Sequence, residues 1–229
     1  MLTAMSMERI TILLVEDHTI VREGFHKLLE LEDELEVVGE AQDGRQAVVL
    51  AKKLRPNVVL MDIAMPLLNG LEAARHILKD IPTAKVLMLS AHSDDAYVKN
   101  ATESGARGFL LKQTSAHNVC HAIREVQKGK TFFTPSISKH LDKQKSPDRF
   151  GLCRKAASKL TSREMEVLQL VAEGKANKET AAELGIGMKT VEKHREHLMQ
   201  KLDIHDTAGL TRYAISAGII ESSVQLTIV

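Results

Sequence analysis

Cysteine is scarce. Cys120 and Cys153 are the only two in 229 residues, too few for a disulfide framework and at no metal-binding spacing, which points to a reducing cytosol. No run approaches the roughly 18 apolar residues that a membrane span needs. The opening Met1-Leu2-Thr3-Ala4-Met5-Ser6-Met7 has no basic head followed by a long apolar stretch, so no secretory signal is expected there. Net charge is nearly absent as well, at +1, but that balance hides an asymmetry. Residues 1–128 carry 15 Lys/Arg against 18 Asp/Glu, and residues 129–229 carry 16 against 12. A hydrophobic share of 44% and a charged share of 27% are those of a globular chain, with length for one large domain or two ordinary ones.

Polar alternation is missing from Val58-Val59-Leu60-Met61, four apolar residues between Pro56-Asn57 and Asp62-Ile63-Ala64-Met65-Pro66. Such a run reads as a strand buried on both faces, with a carboxylate at its C-terminal end. Three further runs end comparably: Ile10-Thr11-Ile12-Leu13-Leu14-Val15 at Glu16-Asp17, Lys85-Val86-Leu87-Met88-Leu89 at Ser90-Ala91, and Gly108-Phe109-Leu110-Leu111 at Lys112. Leu35-Glu36-Val37-Val38-Gly39 is a fifth strand, and helical spacing occupies 19–31, 44–54, 70–80, 94–104 and 115–127. Regular alternation of this kind predicts a doubly wound, flavodoxin-like sheet of five parallel strands with helices on both sides. An acidic pair, an acid, a hydroxyl and an amine then meet at one sheet edge. Clustered carboxylates raise one another's pKa unless a cation neutralises them. Oxygen donors of this type suit Mg²⁺, which keeps several waters and contacts phosphate. His18, directly after the acidic pair, reads as a solvent-facing residue at a helix start rather than as a ligand.

Between about 129 and 157 the periodicity fades into turn and linker chemistry, although 137–141 has the composition of a short helix. Residues 129–159 hold eight Lys/Arg against two Asp/Glu. Beyond them, Thr161 and Glu164 form a capping box, Asn177 is placed to cap a second helix over 178–184, and Gly187 precedes a third over Met188–Leu202. A last helix is expected over 206–217. Two helices joined by a Gly-containing turn, the second longer, make a helix-turn-helix pattern. In the third helix Val191, Leu198 and Leu202 are spaced to pack inward, while Lys189, Glu192, Lys193 and Glu196 share the opposite side. Residues 160–229 nevertheless hold 8 Lys/Arg against 10 Asp/Glu, so this module itself shows no basic footprint.

Glu16-Asp17, Asp62-x-x-x-Pro66 with Gly70, Ser90-Ala91 and Lys112 stand in the order and place of a two-component receiver domain, which residues 1–128 resemble. Leu160-Thr161-x-Arg163-Glu164-x-Glu166-Val167-Leu168, Glu173-Gly174-x-x-Asn177-Lys178-Glu179, Lys189-Thr190-Val191-Glu192-Lys193-His194 and Lys201-Leu202 resemble a LuxR-type DNA-binding domain over 158–229. With 129–157 as a basic linker, the chain is similar to response regulators of the NarL/FixJ type. That resemblance implies phosphorylation of Asp62 by a histidine kinase, with Mg²⁺ held by Glu16, Asp17, Asp62 and the Ala64 carbonyl, and with Ser90 and Lys112 on the phosphoryl oxygens. It implies a Ser90–Phe109 switch, beside which Phe109 as a packed core residue remains open. Ala64 and His92 fall where this family tunes hydrolysis. It also implies a cytoplasmic transcription regulator that contacts promoter DNA through Lys189, Thr190, Lys193 and His194. Two copies would pair through Thr207, Leu210, Tyr213 and Ala214, and RNA polymerase would be a further partner. Phosphorylation would release or re-pair the C-terminal module. Gly187, where Ser is common, Ala181, where Ile is common, and the acidic balance depart from the pattern. Two other readings stand beside this one. The first is a Mg²⁺-dependent aspartyl-phosphate phosphohydrolase, which lacks at Ala64 the second Asp such enzymes use. The second is a regulator acting by protein contacts without DNA.

Overall fold

The computed structural model describes residues 9–91, 95–133 and 160–220; His92, Cys153 and the short helix expected over 137–141 lie outside them. Strand and helix alternate as the spacing predicts: β1 (Ile10–Val15), α1 (Thr19–Glu30), β2 (Leu35–Ala41), α2 (Gly44–Leu54), β3 (Val58–Asp62), α3 (Gly70–Asp80), β4 (Lys85–Ser90), α4 (Asp95–Glu103), β5 (Gly108–Leu111) and α5 (Ala116–Gln127). Every strand pairing is parallel, in the order β2-β1-β3-β4-β5-β6. The sixth strand, β6 (Phe132–Phe133), was not among the five expected. Its Phe132 amide donates to the Arg107 carbonyl at 3.0 Å, and its two rings pack on opposite faces of the sheet. Phe132 and Phe133 therefore belong to the first domain's sheet, although the sequence places them in the linker.

Strand side chains alternate between two cores. Leu13, Val15, Val59, Met61, Val86, Met88 and Phe109 lie beneath α2, α3 and α4. Ile12, Leu14, Val58, Leu60, Leu87, Leu89 and Leu110 lie beneath α1 and α5. β3 is buried along its whole length, and each of its large apolar side chains is worth roughly 1.5–3 kcal/mol relative to exposure. The chain leaves β1 for β2 on one side and returns for β3 on the other, so the order reverses between β1 and β3. Ligand crevices of open α/β sheets form at the C-terminal ends of such a pair, which here carry Glu16-Asp17 and Asp62. Close packing holds α3 against that edge. The Gly70 amide donates to the Ile63 carbonyl at 2.8 Å, and a Cβ at Gly70 would lie 2.0 Å from the Asp62 carbonyl oxygen. Gly70→Ala is expected to cost about 1–3 kcal/mol by overpacking. The urea midpoint reads this; a midpoint equal to the parent's at the same slope would mean that α3 can retreat.

Four helices build the second domain: α6 (Ser162–Ala172), α7 (Asn177–Leu184), α8 (Met188–Leu202) and α9 (Thr207–Ser216). The capping box forms as expected, with the Thr161 amide donating to Glu164 Oε2 at 2.8 Å and the Glu164 amide to Thr161 Oγ1 at 3.3 Å. Asn177 does not cap α7. Ala176 holds that position and its amide donates to Glu179 Oε2 at 2.8 Å, while Asn177 Oδ1 accepts from Arg195 Nη1 at 2.8 Å and ties α7 to α8. Gly185 ends α7 in the left-handed conformation (φ 62°) that glycine adopts without penalty. Val167, Leu168, Val171, Val191, Leu198 and Leu202 form the core. Leu210, Tyr213 and Ala214 join it and are buried. Three of the four residues expected to pair two subunits thus lie in their own domain's core. Of the four, Thr207 is exposed; Ala208, Arg212 and Ile215 continue the outward stripe of α9.

The two domains meet along α6. Gln169 and Glu173 reach the loop between β3 and α3, and His76 Nε2 lies 3.1 Å from Glu166 Oε1. Arg163 Nη1 donates to Glu166 at 2.8 Å, and Arg45 Nη2 lies 3.9 Å from the same carboxylate. Burial alone would raise Glu166, but His76 and Arg163 outweigh it and hold its pKa low. The hydrogen bond to Glu166 raises His76, against burial, with Glu72 and Asp80 adding to the rise. A raised histidine contributes fully below its ordinary 6.5 and ceases to contribute as pH climbs through the raised value. Docking is accordingly expected to loosen as pH rises above 6.5 and through the raised value. Amide exchange at Leu67 to Asn69, corrected for intrinsic rates, should accelerate over that range in the parent and stay flat in His76→Gln; a flat parent profile would refute the pair's role.

Candidate functional site

The crevice at the strand ends is built from four elements. β3 delivers Asp62, β1 leads into Glu16-Asp17, β4 ends in Ser90, and Lys112 follows β5. Strand pairing fixes their mutual positions: the Ile63 amide donates to the Leu89 carbonyl at 3.1 Å, and the Lys112 amide to the Ser90 carbonyl at 2.8 Å. Asp62 is buried and its Oδ1 accepts from the Ile63 amide at 2.8 Å. Lys112 Nζ stands between two acids, 2.9 Å from Asp62 Oδ2 and 2.9 Å from Glu16 Oε2. Ser90 is buried beside them, and the ring of Phe109 is fully inside the sheet's core.

Burial pushes the Asp62 carboxyl up to about 7; Lys112 opposes this and Glu16 reinforces it. Burial would lower Lys112, but Asp62 and Glu16 overcome it and hold the ammonium above its usual range. The cluster is thus short of positive charge. Glu16 Oε2, Asp17 Oδ1 and Asp62 Oδ2 are buried oxygens that receive no directed hydrogen bond among the described residues; the Lys112 ammonium faces the first and third and the His18 ring the second. Such an oxygen set fits a hard divalent ion. Glu16, Asp17 and His18 offer ligand atoms all within 4.8 Å of one another. Asp62 stands outside that trio, joined to it through Lys112. The Ala64 backbone follows two residues on, in the loop leading to α3.

His18 is exposed at 59% of its side chain, as expected, yet its Nδ1 lies 3.0 Å from both Glu16 Oε1 and Asp17 Oδ1. That hydrogen bond to Glu16, with Asp17 adding, raises its pKa. Sequence reading overlooked Arg22. Its guanidinium is buried in α1, donating from Nη1 to the Glu16 carbonyl at 2.8 Å and from Nε to Glu40 Oε2 at 3.0 Å. It thereby anchors the backbone of the acidic pair to β2. The signal available was a basic residue one helical turn past Asp17 on the apolar stripe, where a buried charge needs a partner.

In the second domain, Val191, Leu198 and Leu202 of α8 turn inward, and Lys189, Thr190, Glu192, Lys193 and Glu196 are exposed; His194 is half-buried. Met188, at the first turn of the same helix, is also exposed. Among the described residues no helix is long and apolar enough to cross a membrane.

Comparison with known proteins agrees with both halves. The model of the response regulator receiver domain matches residues 12–124, and that of the bacterial regulatory proteins of the luxR family matches residues 158–214. The transcriptional regulatory protein DegU of Brevibacillus brevis is 36% identical over 227 residues, spanning 93% of this chain and 96% of its own. The response regulator protein VraR of Staphylococcus aureus is 35% identical over 212 residues, spanning 93% and 99%. Among solved structures, the RcsB response regulator of Salmonella typhimurium matches with a TM-score of 0.56 at 28% identity, covering 92% of this chain and 100% of its own. A structure of two RcsB dimers bound to two parallel DNAs matches with a TM-score of 0.57 at 28% identity, covering 91% and 99%. A receiver sheet with its acids gathered at the switch point, joined to a helix-turn-helix bundle of the luxR type, makes this chain a member of the two-component response regulators, a transcription regulator with a receiver domain and a LuxR-type DNA-binding domain.

Proposed function

We propose that Asp62 is the phosphoryl acceptor, loaded by a histidine kinase in the cytoplasm, and that the loaded chain acts on promoter DNA as a homodimer. The observation that carries this reading is the buried Asp62–Lys112–Glu16 array, in which one ammonium faces two carboxylates at the switch point. Phosphoryl transfer demands positioning and charge neutralisation more than covalent assistance. An Asp62 oxygen forms the new P–O bond as the bond to the donor histidine's nitrogen breaks, the electron pair returning to the imidazole. Lys112 is placed to follow the charge onto the phosphoryl oxygens, and Ser90 to donate its hydroxyl to another. Phe109 is the aromatic that would respond to a shift of Ser90. Glu16, Asp17, Asp62 and the Ala64 carbonyl would hold Mg²⁺, which supplies the positive charge that keeps Asp62 ionised near neutrality. Hydrolysis of the acyl phosphate is slow in this reading, because the described residues place no second carboxylate at Ala64 to act as acid or base.

Lys189, Thr190 and Lys193 would meet the major groove, with His194 at the margin. Copies would pair through the outward stripe of α9 around Thr207, Arg212 and Ile215, reading half-sites about one helical turn, roughly 10 bp, apart, and RNA polymerase would be the final partner. Genome-wide mapping of bound DNA with the parent and with Asp62→Asn tests the whole reading. Site occupancy that depends on Asp62 is the expected result. Maps that coincide would refute phosphate control, and sustained release of phosphate from small phosphomonoesters would favour a hydrolase.

A further inference from the structure

The loop from Met65 to Asn69 joins the phosphoacceptor strand to α3; the receiver buries its Met65 and Leu68 side chains, and the second domain holds its backbone from the other side. Gln169 of α6 is fully buried and its amide is saturated. Nε2 donates to the Met65 carbonyl at 2.8 Å and to Glu173 Oε1 at 2.7 Å, while Oε1 accepts from the Asn69 amide at 2.8 Å and from Asn69 Nδ2 at 3.0 Å. A side-chain amide has two donors and two lone pairs, and here all four are used. Gln169 thus grips both ends of the loop at once. Between those ends Leu67 has φ +66°, a left-handed conformation that disfavours a side chain. Its amide donates to Glu173 Oε1 at 3.1 Å. Asn69 in turn caps α3, its Oδ1 accepting from the Glu72 amide at 3.0 Å. The second domain therefore braces a strained segment that begins one residue after Ala64.

We infer that Gln169 is a positioning residue for the phosphoacceptor site, fixing from the DNA-binding domain the loop that presents the Ala64 carbonyl to the divalent ion. The inference rests on the reading of that site given above. A carbonyl held in place before the ion arrives costs less to order on binding than one on a free loop. The link also runs both ways: an ion that gains from the ordered loop must strengthen the domain contact by the same factor. Gln169 touches no reacting atom, and it acts through the Met65 carbonyl.

Mn²⁺ binding to the full-length chain, followed by electron paramagnetic resonance, tests this with the ion as its own probe. The parent is expected to bind and Asp17→Asn to fail. Gln169→Ala should bind roughly fivefold or more weakly, as the ordering cost returns to the binding step. Gln169→Glu keeps an acceptor for Asn69 but offers the Met65 carbonyl no hydrogen, so it should not rescue; amide exchange at Leu67 to Asn69 should rise in both variants. Circular dichroism distinguishes loosening from unfolding, and the isosteric Gln169→Glu carries the test if the alanine variant unfolds. Parent-like Mn²⁺ affinity in folded Gln169 variants, with Asp17→Asn inactive, overturns the inference and leaves the site intact. A parent that binds no Mn²⁺, or an Asp17→Asn that binds normally, overturns the site reading and this inference with it.

Discussion

Asp62→Asn is expected to yield a folded chain that gains no phosphate from acetyl phosphate or from a phosphorylated kinase, as intact-mass spectrometry would show. The amide has nearly the same volume and shape, so β3 keeps its packing, but it offers no anionic oxygen to phosphorus. Stability should not suffer. The folded-state pKa of Asp62 lies near 7, above its ordinary 3.8. A carboxyl raised in this way detracts from folding once pH exceeds the ordinary value, and the deficit grows until the raised value is passed. In the metal-free chain at neutral pH, removing the buried charge should therefore raise the thermal midpoint while abolishing the chemistry. A phosphate adduct at the parent's level in Asp62→Asn would move the acceptor elsewhere.

Loss of DNA binding in Lys189→Ala/Lys193→Ala is the second large effect. The C-terminal module holds 8 Lys/Arg against 10 Asp/Glu from residue 160 onward, so it has no diffuse positive field to fall back on. Two exposed lysines on the outer face of α8 would then carry a large share of the attraction. A lysine bonded to a base edge is worth about 1–3 kcal/mol, and one on a phosphate contributes about one unit to the salt slope. The double variant should weaken promoter binding by at least tenfold at moderate salt, with a shallower dependence on salt if both meet phosphates. Undiminished binding would return the chain to the reading in which it works through protein contacts alone.

Which features were legible in the sequence follows from where their causes lie. β3 declared itself because an apolar run buried on both faces leaves no polar alternation, and Asp62 followed as the residue that ends it. Thr161 and Glu164 announced α6 because a capping box is local chemistry. The outcome at β6 differed: two phenylalanines after Gly129 and Lys130 are too short a run to carry a period, and only pairing with Gly108 and Phe109 makes them a strand. Helical spacing defines the face of Leu210, Tyr213 and Ala214 without saying what covers it; within the chain α6 packs against it. Asn177 looked like a cap by residue type, but Arg195, 18 positions away, claims its oxygen. Gln169 was invisible for the same reason, and Arg22 was legible only as a basic residue on an apolar stripe. Each is polar by composition and becomes buried only when a distant element closes over it.

The manner of docking has a consequence for how control can operate. Contact between the halves runs mainly through α6, with Glu183 of α7 and the residues after α9 adding to it, while Lys189, Thr190, Glu192 and Lys193 on α8 stay open to solvent. The domain contact therefore leaves the outer side chains of the reading helix uncovered. Control by pairing, on the reading proposed above, would leave its mark in cooperativity and half-site spacing rather than in the grip of one copy.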